Sequence, residues 1–189
     1  MGLDMYLKAE IYVAGYEHNT GKEKSLYKKL LELSGMSEHV KRSGCNSAEL
    51  RLTVAYWRKA NHIHKWFVDN VQGGVDDCRD ACVSYEQLQE LVNTCKDILK
   101  TIETIEGDVN IGTSYHSDGK IEHHTEKGRV VCQKSIAEKL LPTTNGFFFG
   151  GTDYDEFYLK DIENTIKMIE PLLLDESLKS ADFYYHSSW

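Results

Sequence analysis

Four stretches of this chain carry residue types and spacings that could do chemistry. The first runs Tyr56-Trp57-Arg58-Lys59-Ala60-Asn61-His62-Ile63-His64-Lys65-Trp66. At helical spacing Arg58, Asn61, His62 and Lys65 share a polar face, with Arg58 and His62 one turn apart. A guanidinium, an amide and an imidazole on one rigid face suit a phosphate or carboxylate. The same pattern also describes a solvated helix face. His64 falls among the apolar residues, where a buried, hydrogen-bonded imidazole is the simpler reading.

The second stretch is Asp69-Asn70-Val71-Gln72-Gly73-Gly74-Val75-Asp76-Asp77-Cys78. Amides, glycines and paired acids can build a polar loop around a ligand, but this is not the spacing of a calcium loop. A helix stop followed by an acid-capped helix start explains it equally. The third is Asn145-Gly146-Phe147-Phe148-Phe149-Gly150-Gly151-Thr152-Asp153-Tyr154-Asp155-Glu156. It reads as a short buried strand turned by glycines and feeding a helix, whose N-terminal amides could meet an anion. Asp153, Asp155 and Glu156 would repel a phosphate there, yet suit a ribose hydroxyl or an adenine amine. Exposed aromatics beside them could stack on a base. The fourth is the terminal Tyr184-Tyr185-His186-Ser187-Ser188-Trp189, where a final Trp must pack somewhere, on a pocket or an oligomer interface. His116, His123 and His124 fall in one polar segment. Adjacent strand residues point apart, so a metal site there is not expected. No Walker, HExxH, zinc-ribbon, nucleophile-elbow or dinucleotide-fold fingerprint is present, and nothing calls for a cofactor.

The elements that must position these residues follow from periodicity. Leu3, Met5, Leu7, Ala9, Ile11 and Val13 alternate with polar residues, which predicts a strand with one buried face. After a polar loop at about Glu17 to Gly21, residues 22–34 predict a helix. Leu26, Leu30 and Leu33 form its stripe, and Gly35 lies past its end. Residues 36–47 are irregular, and Leu50, Leu52 and Val54 suggest a strand or a helix lead-in. Trp57, Ala60, His64, Phe67, Val68 and Val71 predict the clearest helix, ended by Gly73-Gly74. Ser84 and Gln87 form a capping box for a helix burying Leu88, Leu91, Cys95, Ile98 and Ile102. Residues 106–131 predict an exposed polar hairpin with a two-residue Asp118-Gly119 turn, inserted into the fold. A short helix spans 134–140. Another starts at Thr152 or Asp153 with Tyr158, Ile162, Ile166 and Ile169 inward, ending or kinking at Pro171. Residues 181–185 alternate as a last strand.

The expected fold is therefore α+β in a single domain over 1–189. A small sheet including N- and C-terminal strands packs on three to four helices, with the 106–131 hairpin added.

Bulk composition agrees. The chain has 189 residues, 41% hydrophobic and 28% charged, with 2 prolines, which suits one domain. A net charge of −8 disfavours general nucleic-acid binding. No apolar run reaches roughly 18 residues, so no membrane span is expected. The N-terminus lacks a secretory pattern, and Tyr6 stands where a myristoylation motif wants Ser or Thr. The 5 cysteines form no CxxC pair and read as reduced thiols in a core.

Taken together, Met1-Gly2-Leu3-Asp4-Met5-Tyr6-Leu7, Tyr56-Trp57-Arg58-Lys59-Ala60-Asn61, Leu140-Leu141-Pro142 with Gly146-Phe147-Phe148-Phe149-Gly150, and Phe183 to Trp189 resemble a family of small, mostly uncharacterised bacteriophage and prophage proteins. The resemblance implies a phage accessory protein in the cytoplasm of the infected host, with no defined reaction. Such proteins often counter host defence, some by sequestering its nucleotide signals. By that analogy the ligand is a small nucleotide-like molecule. The candidate ligand-binding residues are Arg58, Asn61, His62, Asp155, Tyr158, Tyr185 and Trp189. There is no metal, and a homo-oligomer would fit. Two other readings stay open. In one, the chain is a phosphodiesterase or other hydrolase using His62 or His64 as acid or base, Arg58 for charge, and Asp76 or Asp77 to orient or hold a metal. In the other, it is a protein-binding inhibitor acting through the hairpin.

Overall fold

The computed structural model describes residues 2–16 and 18–189. Met1 of the N-terminal motif and Glu17 of the first loop lie outside the described residues. The alternating first segment forms β1 (Asp4–Ala14), which is central in the main sheet. It pairs antiparallel on one side with β2 (Ser47–Arg58) and on the other with β6 (Asp182–Ser188). A short β3 (Ala81–Val83) adds to the far side of β6, so the order is β2-β1-β6-β3. The fold is α+β, a single compact domain as its sequence indicates.

One face of the sheet presents Leu3, Met5, Leu7, Ala55, Trp57, Phe183 and Tyr185 to helices α3 (Asn61–Asn70), α4 (Tyr85–Thr101) and α6 (Glu156–Leu174). These apolar faces form one contiguous core, the main stabilising term in a domain of this size. Trp57 is tied across it by a 2.8 Å bond from its indole N–H to the Thr165 hydroxyl. The Ser84 capping box at the start of α4 forms with both bonds present.

The structure corrects several expectations. Trp57 and Arg58 end a strand rather than begin a helix. Between Leu7 and Lys8 the β1–β2 register slips, so Val54 is an extra residue in β2. A bulge of this kind breaks the period of two, so that Ala55 and Trp57 are buried while Leu52, on the earlier parity, is exposed. Arg58 and His62 are thus not helical neighbours, and Lys59, in the left-handed region at φ 60, turns the chain between them. The helix at 22–34 is present as α1 (Gly21–Ser34) and is followed by α2 (Ser37–Ser43) in the stretch expected to be irregular. Its leucine stripe is not buried: Leu26 and Leu33 are exposed and only Tyr27 packs inward. Of the five cysteines only Cys95 is buried; Cys45, Cys78, Cys82 and Cys132 are exposed, and all are free. Among the described residues no helix is long and apolar enough to cross a membrane.

The hairpin is β4 (Thr104–Tyr115) and β5 (Ile121–Val131), largely exposed as expected. Its tip is longer than the expected two-residue turn. His116 and Lys120 bracket the tip through a 2.9 Å backbone bond, with Gly119 at φ 84. A slip between Asn110 and Gly112 bulges Ile111 out of the ladder. The base is fastened to α6 and to the segment just before it. Val131 N–H donates to Tyr154 O at 3.0 Å, and the Arg129 guanidinium grips Glu156 (2.9 and 3.0 Å) and Glu163 (2.7 Å). Paired guanidinium–carboxylate bonds fix orientation as well as adding energy. Arg129→Ala is expected to speed hydrogen exchange of the β4–β5 amides by about five- to tenfold while leaving α4 unchanged. Exchange that quickens equally in both would show that Arg129 supports the whole core.

Candidate functional site

Three elements converge on a cavity of about 490 Å³. The end of β2 contributes Arg58 and Lys59, and the start of α3 contributes Asn61 and His62. The first turns of α6 and the residue before it contribute Asp155, Phe157, Tyr158 and Asp161. The hairpin contributes Asn110, Ile111, Gly112 and Thr113 as a further wall, with Gly150, Gly151 and Asp153 completing the rim. Sites for small ligands typically measure roughly 300–1,000 Å³, with apolar walls and a few convergent polar groups.

The rim is held by local backbone geometry. Phe148, at φ 64, reverses the chain so that Phe149 turns inward and Phe147 and Phe148 stay exposed. The expected buried strand of three phenylalanines is therefore a turn, with only Phe149 in the core. Gly150, at φ 95, lies so close to the main chain of Lys59 that a Cβ would sit 2.9 Å from its carbonyl oxygen. Two left-handed non-glycine residues, Lys59 and Phe148, thus flank one site. Such strain persists only where surrounding contacts over-determine it.

Asn61 is 1% exposed and its amide is already committed. Nδ2 donates to Phe149 O (3.3 Å) and Gly151 O (2.7 Å), and Oδ1 accepts from Thr144 N–H (2.9 Å). It shapes the rim rather than offering free donors, which corrects the expected polar helix face. Asp155 caps α6 by accepting from the N–H groups of Phe157 (2.9 Å) and Tyr158 (3.4 Å). The Tyr158 hydroxyl donates to Leu141 O at 3.1 Å, leaving its ring to pack on His62 at 4.4 Å between centroids.

The groups with unspent capacity are Arg58, Lys59, His62 and Asp161. Arg58 and Lys59 form no ion pair among the described residues. His62 is 3% exposed, and its Nε2 has no hydrogen-bond partner. The nearest carboxylate, Asp161 Oδ2, stands 4.0 Å away, too far for a direct bond. Burial drives the His62 pKa down to about 3, so the ring is neutral. Burial and then the charge of Asp155 push Asp161 up to about 7. Asp155 is raised too, mainly by burial, against the pull of its helix N–H bonds.

Of the seven residues singled out from sequence, Arg58, Asn61, His62, Asp155 and Tyr158 line this cavity, and Tyr185 and Trp189 do not. Tyr185 is fully buried and stacked on Phe67, and its hydroxyl lies 2.7 Å from His64 Nδ1. His64 Nε2 meets Asp76 Oδ2 at 3.0 Å, and Asp76 Oδ1 accepts from the Trp189 indole at 3.1 Å. This chain of bonds pins the C-terminus to α3, and with both ring nitrogens occupied His64 has no free base. Asp77 is paired with Arg79.

Known proteins give no guide here. No family model, curated protein or solved structure matches the chain.

Among the described residues no group of three or more His, Cys, Asp or Glu side chains could hold a metal ion. The hairpin histidines take separate partners: His116 with Glu122, His123 with Thr113, and His124 with Ser114. Sequence reasoning missed Asp161, Lys59, Phe157 and the hairpin wall. A signal for Asp161 was present. It stands three residues after Tyr158 and four before Thr165, on the inward stripe of α6, where an acid is out of place.

Proposed function

We propose that this cavity binds a small nucleotide-like ligand. By the resemblance drawn from its sequence segments, the chain would act as a phage accessory protein that sequesters a host defence signal. One observation carries the binding reading. The same cavity holds two cations free of ion pairs, Arg58 and Lys59, a buried imidazole with an unused nitrogen, and the exposed apolar side chains of Phe157 and Ile111. The cations suit a phosphate, and a flat apolar side chain such as Phe157 suits a base. Asp155 and Asp161 suit neutral hydroxyl or amine donors.

A second reading is favoured by the His62–Asp161 pair. A neutral imidazole facing a carboxyl that titrates near neutrality is an arrangement used for proton transfer. A hydrolase would use it on a bound phosphoester.

A thermal-shift screen against cyclic dinucleotides, cyclic trinucleotides and ADP-ribose derivatives separates these readings. Bound ligand is released by heating and weighed by mass spectrometry. Sequestration requires a shift of about 5 °C or more at saturating ligand, recovery of intact ligand, and loss of the shift in the double variant Arg58→Ala, Lys59→Ala. Cleaved ligand would make the protein an enzyme. A shift that survives the double variant would move the site elsewhere, and no shift with any compound would remove the nucleotide reading.

A further inference from the structure

His62 Nε2 and Asp161 Oδ2 belong to the lining of one cavity and stand 4.0 Å apart, too far for a direct bond. His62 Nε2 is buried with no partner, in a ring fixed by its packing on Tyr158. An unpartnered buried polar atom costs free energy that a bound group can recover. Across the 4.0 Å to Asp161 Oδ2, an oxygen about 2.8 Å from each atom would subtend an angle of about 90°. A hydroxyl can donate to one side and accept from the other, which a phosphate oxygen or an aliphatic carbon cannot. The other polar groups nearby are already committed within the fold. The Tyr158 hydroxyl is bonded to Leu141 O, Asp155 Oδ1 caps α6, and the Asn61 amide holds the rim.

We infer that His62 and Asp161 together form the subsite for a ribose hydroxyl, making the ligand a ribonucleotide or ribose phosphate with a free 2′- or 3′-hydroxyl. This rests on the binding reading above and names its substrate class. Arg58 and Lys59 would take the phosphate, and the His62–Asp161 pair would read the sugar. A site built around a hydroxyl discriminates strongly against an analogue that lacks it, because its buried polar groups are then left unpaired.

The test compares matched pairs by calorimetry: ribose 5-phosphate with 2-deoxyribose 5-phosphate, ADP-ribose and AMP each with its 2′-deoxy and 3′-deoxy forms, and cyclic di-AMP with its 2′-deoxy form. The expected result is a preference of at least tenfold for at least one ribo compound over its deoxy partner. In Asp161→Ala the preference should fall below about twofold. His62→Gln, checked for folding by circular dichroism, should act in the same direction. Equal binding of ribo and deoxy forms by the wild-type protein would overturn the inference and leave the nucleotide reading standing. A preference retained in Asp161→Ala would also overturn it, by placing the hydroxyl elsewhere. If none of the compounds binds, reading and inference fall together.

Discussion

Asp161→Asn is expected to lose stability with acid more steeply than the wild-type protein between pH 7 and pH 3. The reason is proton bookkeeping at one pair, a buried histidine and a half-buried acid. His62 is depressed from 6.5 to about 3 by burial. A depressed histidine favours the folded state above its unfolded pKa, and that contribution is lost as pH falls from 6.5 to 3. Asp161 is raised from 3.8 to about 7. A raised carboxyl contributes most below 3.8, and its contribution is lost as pH rises through 7. In the wild type the two slopes oppose each other. Folded and unfolded chains each hold one proton on this pair from about pH 3.8 to 6.5, so the pair adds no slope there. Removing the acid exposes the histidine slope alone, a loss of roughly 4 kcal/mol between pH 7 and pH 3 relative to wild type. His62→Gln should show the reverse, losing stability as pH rises from 4 to 7. The raised Asp155 is common to all three proteins and cancels in the differences. Urea unfolding at several pH values measures this directly. Parallel pH profiles for wild type and Asp161→Asn would show that the Asp161 carboxyl is not raised by burial, and a flat profile for Asp161→Asn that His62 is not held neutral.

Much of the scaffold was legible because it obeys simple periods. β1 alternates cleanly from Asp4 to Glu10, and α4 announces itself with a capping box and a stripe from Leu88 to Ile98. The site was legible only in part, because it is built where those rules are interrupted. The bulge at Val54 hides the end of β2, so Trp57 reads as helical. The left-handed turn at Lys59 then redirects Arg58 away from the helix on which spacing would put it. Three phenylalanines in a row cannot reveal that only the last is buried, since the turn at Phe148 decides it. Asn61 and His62 read as a solvated helix face, but α6 and the segment around 144–151 close over them. Local conflicts between pattern and placement tend to gather at functional sites, where geometry outranks propensity. The terminal aromatics lie away from this cavity. Their burial is real for Tyr185, but its partner is the His64–Asp76 chain rather than the cavity.

Asn61→Asp should damage the protein more than Asn61→Ala, although aspartate is nearly the same shape. Asn61 holds two carbonyls, Phe149 O and Gly151 O, with its NH₂ group and one amide, Thr144 N–H, with its oxygen. That partner set fixes which way the side-chain amide points. Alanine removes three bonds, and water entering from the adjacent cavity can satisfy part of what is left, for a cost of about 2 kcal/mol. Aspartate instead aims a buried negative oxygen at two carbonyl oxygens while keeping only the bond from Thr144. An uncompensated charge at such a position costs about 3–5 kcal/mol. The aspartate would escape by taking a proton, since a protonated carboxyl can donate to one of the two carbonyls. Its penalty should therefore shrink as pH is lowered from 8 to 5, while the alanine penalty stays constant. Denaturant melts of both variants at the two pH values test the ordering and its pH dependence together. If alanine is the worse substitution at pH 8, the amide is not the latch of the cavity rim. If the ordering holds, loss of ligand-induced thermal shift in Asn61→Ala reports a rim that has opened, because that variant removes no charge and leaves Arg58, His62 and Asp161 in place.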